Sequence, residues 1–141
     1  MLNKNITIEF LKEMGKGYLP EFMRVEILSI EEGKMTSRLS IKPHHIAPNG
    51  FLHAATVISL ADTTCGYASF AHLPEGAESL CTIELKSNHL GTAREGAIFC
   101  VATAVHLGRN TQVWDAEVSD EKTGKVIALF RCTQMNLFPK K

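Results

Sequence analysis

The residues best placed to do chemistry are His53 and Asp62, nine positions apart in the stretch Asn49–Ala71, NGFLHAATVISLADTTCGYASFA. Asp62 is the only carboxylate between Phe51 and Ala71, and no Lys or Arg accompanies it. A lone acid in the most apolar stretch of a chain loses hydration without gaining a counter-ion, and that is costly. The same loss of solvation makes a carboxylate a better base or nucleophile. The segment around His53, Ala54 and Ala55 supplies the complementary feature. It reads as a helix start, where the first N–H groups are unpaired and the helix dipole favours negative charge.

These groups need a long helix to hold them, and the spacing predicts one from about His53 to Ala71. Val57, Ile58, Ala61, Cys65 and Ala68 form one stripe. Ala55, Ser59, Asp62, Gly66 and Ser69 form a second, small and polar, which contains the acid. A helix apolar nearly all round is buried, and a small-residue stripe allows close approach of something else. The loop Lys42–Leu52, with Pro43, Pro48, Asn49 and Gly50, feeds this helix.

Around it the chain reads simply. Ile6, Phe10, Leu11 and Met14 recur at helical spacing, so residues 1–19 form a short N-terminal helical segment, a lid or packing element ended by Gly15 and Gly17. Tyr18–Glu21 lead out through Pro20. Val25–Ile30 and Met35–Ile41 alternate about the turn Glu31–Lys34, which predicts a hairpin. Leu80–Leu90, Ala97–Leu107, Thr111–Asp120 and Lys125–Leu137 are four further strands. The connections Thr92–Gly96, Gly108–Asn110 and Glu121–Gly124 are all short, which implies antiparallel pairing of consecutive strands. One long helix against a mostly antiparallel sheet is an α+β fold, and 141 residues make one domain spanning 1–141.

Composition narrows the function. Lys and Arg number fifteen and balance fifteen Asp and Glu, so a nucleic-acid partner, which needs a basic face, is not expected. No stretch has the length of a membrane span or the apolar core of a signal peptide, so the cytoplasm is the default compartment and no membrane partner is expected. Cys65, Cys81, Cys100 and Cys132 are widely spaced inside apolar segments and read as buried reduced thiols. His44 and His45 have no acid or Cys at ligand spacing, so no metal is expected. Trp114, mid-strand, reads as core.

Three segments resemble, in the right order, those of the hotdog-fold acyl-CoA thioesterases of the phenylacetate-degradation type. The first is Asn49–Asp62, similar to the signature Gly-x-(Leu/Ala)-His-Gly-Gly followed by Leu-Ala-(Asp/Glu), with His53 and Asp62 keeping its spacing. The others are Ser87–Gly96, SNHLGTAREG, and His106–Trp114, HLGRNTQVW, closest to the branch that acts on aromatic acyl-CoA esters. The resemblance covers residues 20 to 137 and implies a hotdog fold, one long helix wrapped by the sheet. It also implies hydrolysis of an acyl-CoA to free acid and CoA without a cofactor, and self-association as dimer or tetramer. Ala54-Ala55 replaces the family Gly-Gly but keeps the backbone N–H. Ala47 stands where the family usually has Gln or Asn, and Asn49 is the nearest substitute. Gly66 stands four residues past the acid, where aromatic-type members carry Ser.

On this reading Asp62 is general base or nucleophile, and the helix start at His53 and Ala54, with Asn49, supplies oxyanion donors. The resemblance places Thr82 at a Ser/Thr position that holds water or substrate, although a Thr there is equally an ordinary strand residue. It assigns His106, Gly108 and Arg109, at a hairpin tip, to the nucleotide end of CoA. Arg94, Asn88 and His89 are similar candidates on another turn. Phe10, Met14, Phe51, Tyr67 and Phe70 are available to line an acyl pocket. Ala54 and Asp62 lie about 12 Å apart along a helix rising ~1.5 Å per residue, too far to share one carbonyl. Asp62 of one subunit is therefore expected to face the helix start of another across a two-fold axis. Two rival readings remain: an acyl-thioester hydratase or dehydratase, and a non-catalytic CoA-binding or oligomeric module.

Overall fold

The computed structural model describes residues 1–140. Its elements are helices α1 (Ile8–Met14), α2 (Leu19–Phe22) and α3 (Ala54–Ala71), and strands β1 (Glu26–Glu31), β2 (Lys34–Ser40), β3 (Ser79–His89), β4 (Ala97–Leu107), β5 (Thr111–Asp120) and β6 (Val126–Leu137). The strands form one antiparallel sheet in the order β1-β2-β4-β5-β6-β3. α3 lies across one face and packs on β2, β3, β4, β5 and β6. This is the hotdog arrangement.

Alternation dictates which side chains meet the helix. β2 turns in Met35, Ser37 and Leu39; β4 turns in Ile98, Cys100 and Ala102; β5 turns in Trp114, Ala116 and Val118. α3 meets them with Val57, Leu60, Ala61, Thr64, Cys65 and Ala68, all buried. Alanines and cysteines on both sides let the helix sit close to the sheet. Other positions on the helix, including Ile58, Asp62 and Gly66, are only half-buried in the single chain.

Both helix ends are tied by side chains. His53 is extended and its Nδ1 accepts the Ala55 N–H at 2.9 Å, a capping bond. The His45 carbonyl accepts the His53 N–H at 3.0 Å and the Thr56 hydroxyl at 2.9 Å, which locks the incoming loop. At the far end Gln112 on β5, fully buried, donates to the carbonyl of Ser69 at 3.1 Å and to Asn136 Oδ1 at 3.0 Å. Its Oε1 accepts the Trp114 indole N–H at 3.0 Å. His72 Nδ1 bonds the Ala68 carbonyl at 2.7 Å, and its Nε2 accepts the Gly33 N–H at 2.9 Å.

Three expectations need correction. Tyr18–Glu21 do not simply lead out. Leu19–Phe22 make a one-turn helix because Pro20, in its first turn, is preset for helical φ. The chain then leaves through Arg24 at φ 55. β3 does not pair with β4 despite the short link between them. β2 already occupies that edge of β4, and β3 crosses over to pair with β6, Ser79 opposite Leu137 and His89 opposite Ala128. Cys81 is exposed, because its partner Met135 lies on the outer face of β6. Trp114, Cys65, Cys100 and Cys132 are buried as expected. No helix among the described residues is long and apolar enough to cross a membrane.

The Gln112 knot is testable. Gln112→Leu orphans the Trp114 N–H and the last carbonyls of α3, and should lower the unfolding free energy by about 2–3 kcal/mol. Urea titration at fixed protein concentration measures this. A loss under about 0.5 kcal/mol would show that the network contributes little.

Candidate active site

Asp62 sits mid-helix on the side of α3 that faces β6 and the edge strand β3. The residue is half-buried, and Oδ1 is sealed from solvent with no hydrogen-bond partner among the described residues. Burial pushes its pKa above the ordinary aspartate range, and the Thr82 hydroxyl facing it from β3 opposes this only in part. Asp62 is thus a carboxylate that gains by taking up a proton, as a general base or an attacking group requires.

The helix start forms a separate recess. Ala47, Asn49, Phe51, Leu52, His53, Ala54, Val57, His89, Gly91 and Thr92 line it. Gly50, at φ 84, makes the turn that Asn49 Oδ1 secures by accepting the Phe51 N–H at 3.2 Å. That leaves the Asn49 NH2 group as a donor. Thr92 fixes the opposite wall by accepting the Leu52 N–H at 2.9 Å. His53 is exposed, and with Nδ1 engaged in the cap its proton is on Nε2, available to a ligand. The Ala54 N–H makes no hydrogen bond among the described residues. Residues carrying three free donors therefore line one recess at the positive end of a helix dipole.

Of the sequence candidates, the structure gathers Asn49, His53, Ala54 and His89 around this recess. Arg94 stands beside it, its guanidinium 5.3 Å from the centre of the Phe51 ring. Thr82 belongs with Asp62. Asn88 does not reach either half. Alternation turns it to the outer face of the sheet, where it lines a groove with Lys86, Asp115 and Arg131. His106, Gly108 and Arg109 lie at the opposite end of α3 from the recess, held by Asn136, whose Nδ2 donates to the carbonyls of Gly108 and Arg109. Arg109 covers the Phe138 ring at 4.7 Å. Among the pocket candidates, Phe10 stacks on Phe70, and Tyr67 lines a groove under α1 on the β1 side.

Sequence reasoning missed Gln134 and Cys132, which stand behind Asp62. Both are buried on β6, and Gln134 Oε1 accepts the Thr82 hydroxyl at 3.0 Å. The available signal was the inward phase of β6, in which Phe130, Cys132, Gln134 and Asn136 alternate into the core.

Residues 49–127 match the profile of the thioesterase superfamily. The chain belongs to that family. It is a thioester hydrolase of the hotdog fold. It is 32% identical over 115 residues to a 1,4-dihydroxy-2-naphthoyl-CoA hydrolase from Listeria monocytogenes, covering 82% of this chain and 92% of that protein. It is 30% identical to the enzyme of the same name from Escherichia coli, covering 92% and 94%. Among solved structures, a thioesterase from Haemophilus influenzae superposes with a TM-score of 0.88 at 27% identity, covering 98% of this chain and 96% of that one. A mutant thioesterase from Pseudomonas aeruginosa does so with a TM-score of 0.89 at 26%, covering 96% and 97%.

The Asp62 environment predicts a signature in stability. A carboxyl whose folded pKa is raised contributes stability that is fully present below its unfolded pKa and is lost as pH rises through the folded value. Asp62→Asn should therefore unfold at a higher temperature than wild type at about pH 7, and the two should converge at about pH 3. Thermal denaturation across that range checks it. An Asn variant less stable at neutral pH would mean that the carboxylate is well paired.

Proposed function

We propose that this thioester hydrolase cleaves acyl-CoA, aromatic acyl groups foremost, in the cytoplasm, and that its site is completed by a second copy of the chain. The observation that carries this is Asp62, a half-buried carboxylate with one oxygen unpartnered, in a helix that holds no other charge. The aromatic preference draws on the two relatives named for a naphthoyl-CoA substrate.

The need for a second copy follows from the two halves of the site. The recess donors lie at the start of α3 and Asp62 lies in its middle, about 12 Å on from Ala54 at ~1.5 Å per residue. β3 offers a way to join them. It is an edge strand of 11 residues with exposed Ile83 and Leu85, and such an edge is a template for pairing. An antiparallel pairing of β3 with its copy, centred on Lys86 opposite its own copy, sets Thr82 of one chain opposite His89 of the other once the bulge between Thr82 and Glu84 is counted. Thr82 attends Asp62 and His89 lines the recess, so this register brings the two halves together. The same two-fold turns the tip carrying His106, Gly108 and Arg109 toward the Thr92–Arg94 turn of the other chain. Arginines from both are then available to the CoA phosphates.

In the reaction the thioester carbonyl lies against the Ala54 N–H, with His53 Nε2–H and the Asn49 NH2 as further donors, in an acyl recess that Phe51 borders. Asp62 either takes a proton from the attacking water or attacks the carbonyl itself. The C–S bond breaks, the sulfur leaves as the CoA thiolate and is protonated, and the acid is released. If Asp62 attacks first, water resolves the anhydride, and attack at the Asp62 carbonyl carbon puts label from 18O-water into that carboxylate in a single turnover. Ala47 removes the side-chain amide usual in the family, and the Asn49 NH2 takes over its donor role.

Free-thiol release from aryl, short-chain and long-chain acyl-CoA esters tests the reading. Wild type should cleave the aryl esters fastest, and Asp62→Ala should lose roughly 10²–10⁴-fold in kcat/KM. Wild type inert on the whole panel, or Asp62→Ala as active as wild type, overturns it. Binding without turnover would indicate a CoA-binding module instead. The shared site has its own test. Mixing inactive Asp62→Asn with inactive His53→Ala, after exchange, should restore about a quarter of wild-type activity, because half the dimers then carry one intact site of two. No recovery in verified mixed dimers excludes the shared site.

A further inference from the structure

Behind Asp62 lies a line of polar groups, buried beyond Thr82, that the hydrolysis as written does not use. The Thr82 hydroxyl faces the carboxylate and donates its one proton to Gln134 Oε1 at 3.0 Å. Gln134 is fully buried, and its Nε2 donates to Cys132 Sγ at 3.4 Å. Cys65, one turn along α3 from Asp62, faces Cys132 in turn. That contact and burial push the Cys65 thiol up, so it keeps its proton and directs it at the Cys132 sulfur.

A hydroxyl has one proton to give. While Thr82 gives it to Gln134, the hydroxyl offers Asp62 only lone pairs, which suits a protonated carboxyl. The orphaned Oδ1 agrees with this state. An ionised Asp62 needs the Thr82 proton turned toward it. Thr82 then requires a donor in place of an acceptor behind it. The Gln134 carboxamide supplies one by turning over, so that Nε2–H points at Thr82 and Oε1 points at Cys132, whose S–H can donate to it. Every link then runs one way, from Cys65 through Cys132, Gln134 and Thr82 to the carboxylate. Chains of this kind polarise one another in a low-dielectric interior.

We propose that Gln134 is a positioning residue of the Asp62 site, and that the orientation of its carboxamide decides whether Thr82 gives Asp62 a proton or withholds it. The inference rests on the reading of Asp62 as the reacting group, but its geometry concerns the free protein. The titratable groups facing Asp62 are Cys65 on its own helix and Cys132 on β6. β3 contributes Thr82, which does not titrate. Asp115, beyond Cys132 on the outer face, is paired with Arg131. In the proposed dimer the His53 end of the second chain also faces Asp62.

The test is an NMR titration of the whole protein without substrate, reading the Asp62 carboxyl carbon and the Gln134 side-chain amide. In wild type the amide resonances should titrate with the Asp62 midpoint. An amide that does not move while Asp62 titrates overturns the proposal, and this needs no variant. Gln134→Met keeps length and volume and leaves Asp62 as the sole acceptor for Thr82, so the Asp62 midpoint should fall by about half a pH unit or more. Thr82→Val, on the exposed edge strand, removes the donor and should raise it. In the Thr82→Val background Gln134→Met should add nothing. A midpoint that is unchanged or raised in Gln134→Met alone, or shifted equally in both backgrounds, overturns the proposal. The acid limb of kcat/KM for aryl-CoA cleavage should follow these midpoints. If the midpoints move as expected while no substrate is cleaved, the thioesterase reading fails and the Gln134 inference stands.

Discussion

The seating of α3 on the sheet governs the rest of the molecule. Ala61, Cys65 and Ala68 meet Cys100, Ala102 and Ala116, and these short side chains bring helix and sheet into close contact. Such a contact has little room for error, because interiors are packed to crystal density and resist both voids and overfilling. It is made directional by the ends. His45, His53 and Thr56 fix the start, and His72 and Gln112 fix the finish. With seat and both ends set, helical rise alone decides where Asp62 stands.

That position has an electrostatic consequence. Among the described residues no cation acts on Asp62, so burial dominates and Thr82 offers the compensating contact. By contrast, Arg131 meets Asp115 and Arg38 meets both Glu26 and Glu121, all on the solvent side. The described residues thus include cations paired with acids and none beside Asp62. A paired Asp62 would be more stable and a weaker base. The unpaired one keeps its affinity for a proton, as the trade between stability and activity would ask of the reacting group it is proposed to be.

Much of this was legible in the sequence, and the reasons are local. Gly33 at φ 68 and Gly124 at φ 70 punctuate the hairpins as read, and the strand limits fall within a residue or so of those expected. The α3 stripe and the lone acid follow from spacing alone. What could not be read depends on distant parts of the chain. The place of β3 beside β6 is set by β2 having claimed β4, a competition that the short β3–β4 link conceals. The bulge between Thr82 and Glu84 resets the alternation within β3, so the faces of Asn88 and Cys81 required the true register. The place of Gln134 had the same obstacle, since its bond to Thr82 joins strands far apart in sequence.

The crossover of β3 links topology to chemistry. Had β3 paired with β4, as its short link suggests, the strand carrying Thr82 would lie mid-sheet and its edge would be closed. Placed at the end of the sheet beside β6, it sets Thr82 against Gln134 and Asp62 and leaves eleven residues of backbone open on the other side. Open edges of this length invite aggregation unless they are blocked by proline, charge or a bulge, or covered. β3 has a bulge after Thr82 and the charged Glu84 and Lys86, but also Ile83 and Leu85 in the same run. That mixture suits an edge guarded against indiscriminate pairing yet apolar enough to accept one specific partner. In the proposed dimer, the same strand that closes the sheet edge would also bring the carboxylate of one chain to the donors of the other.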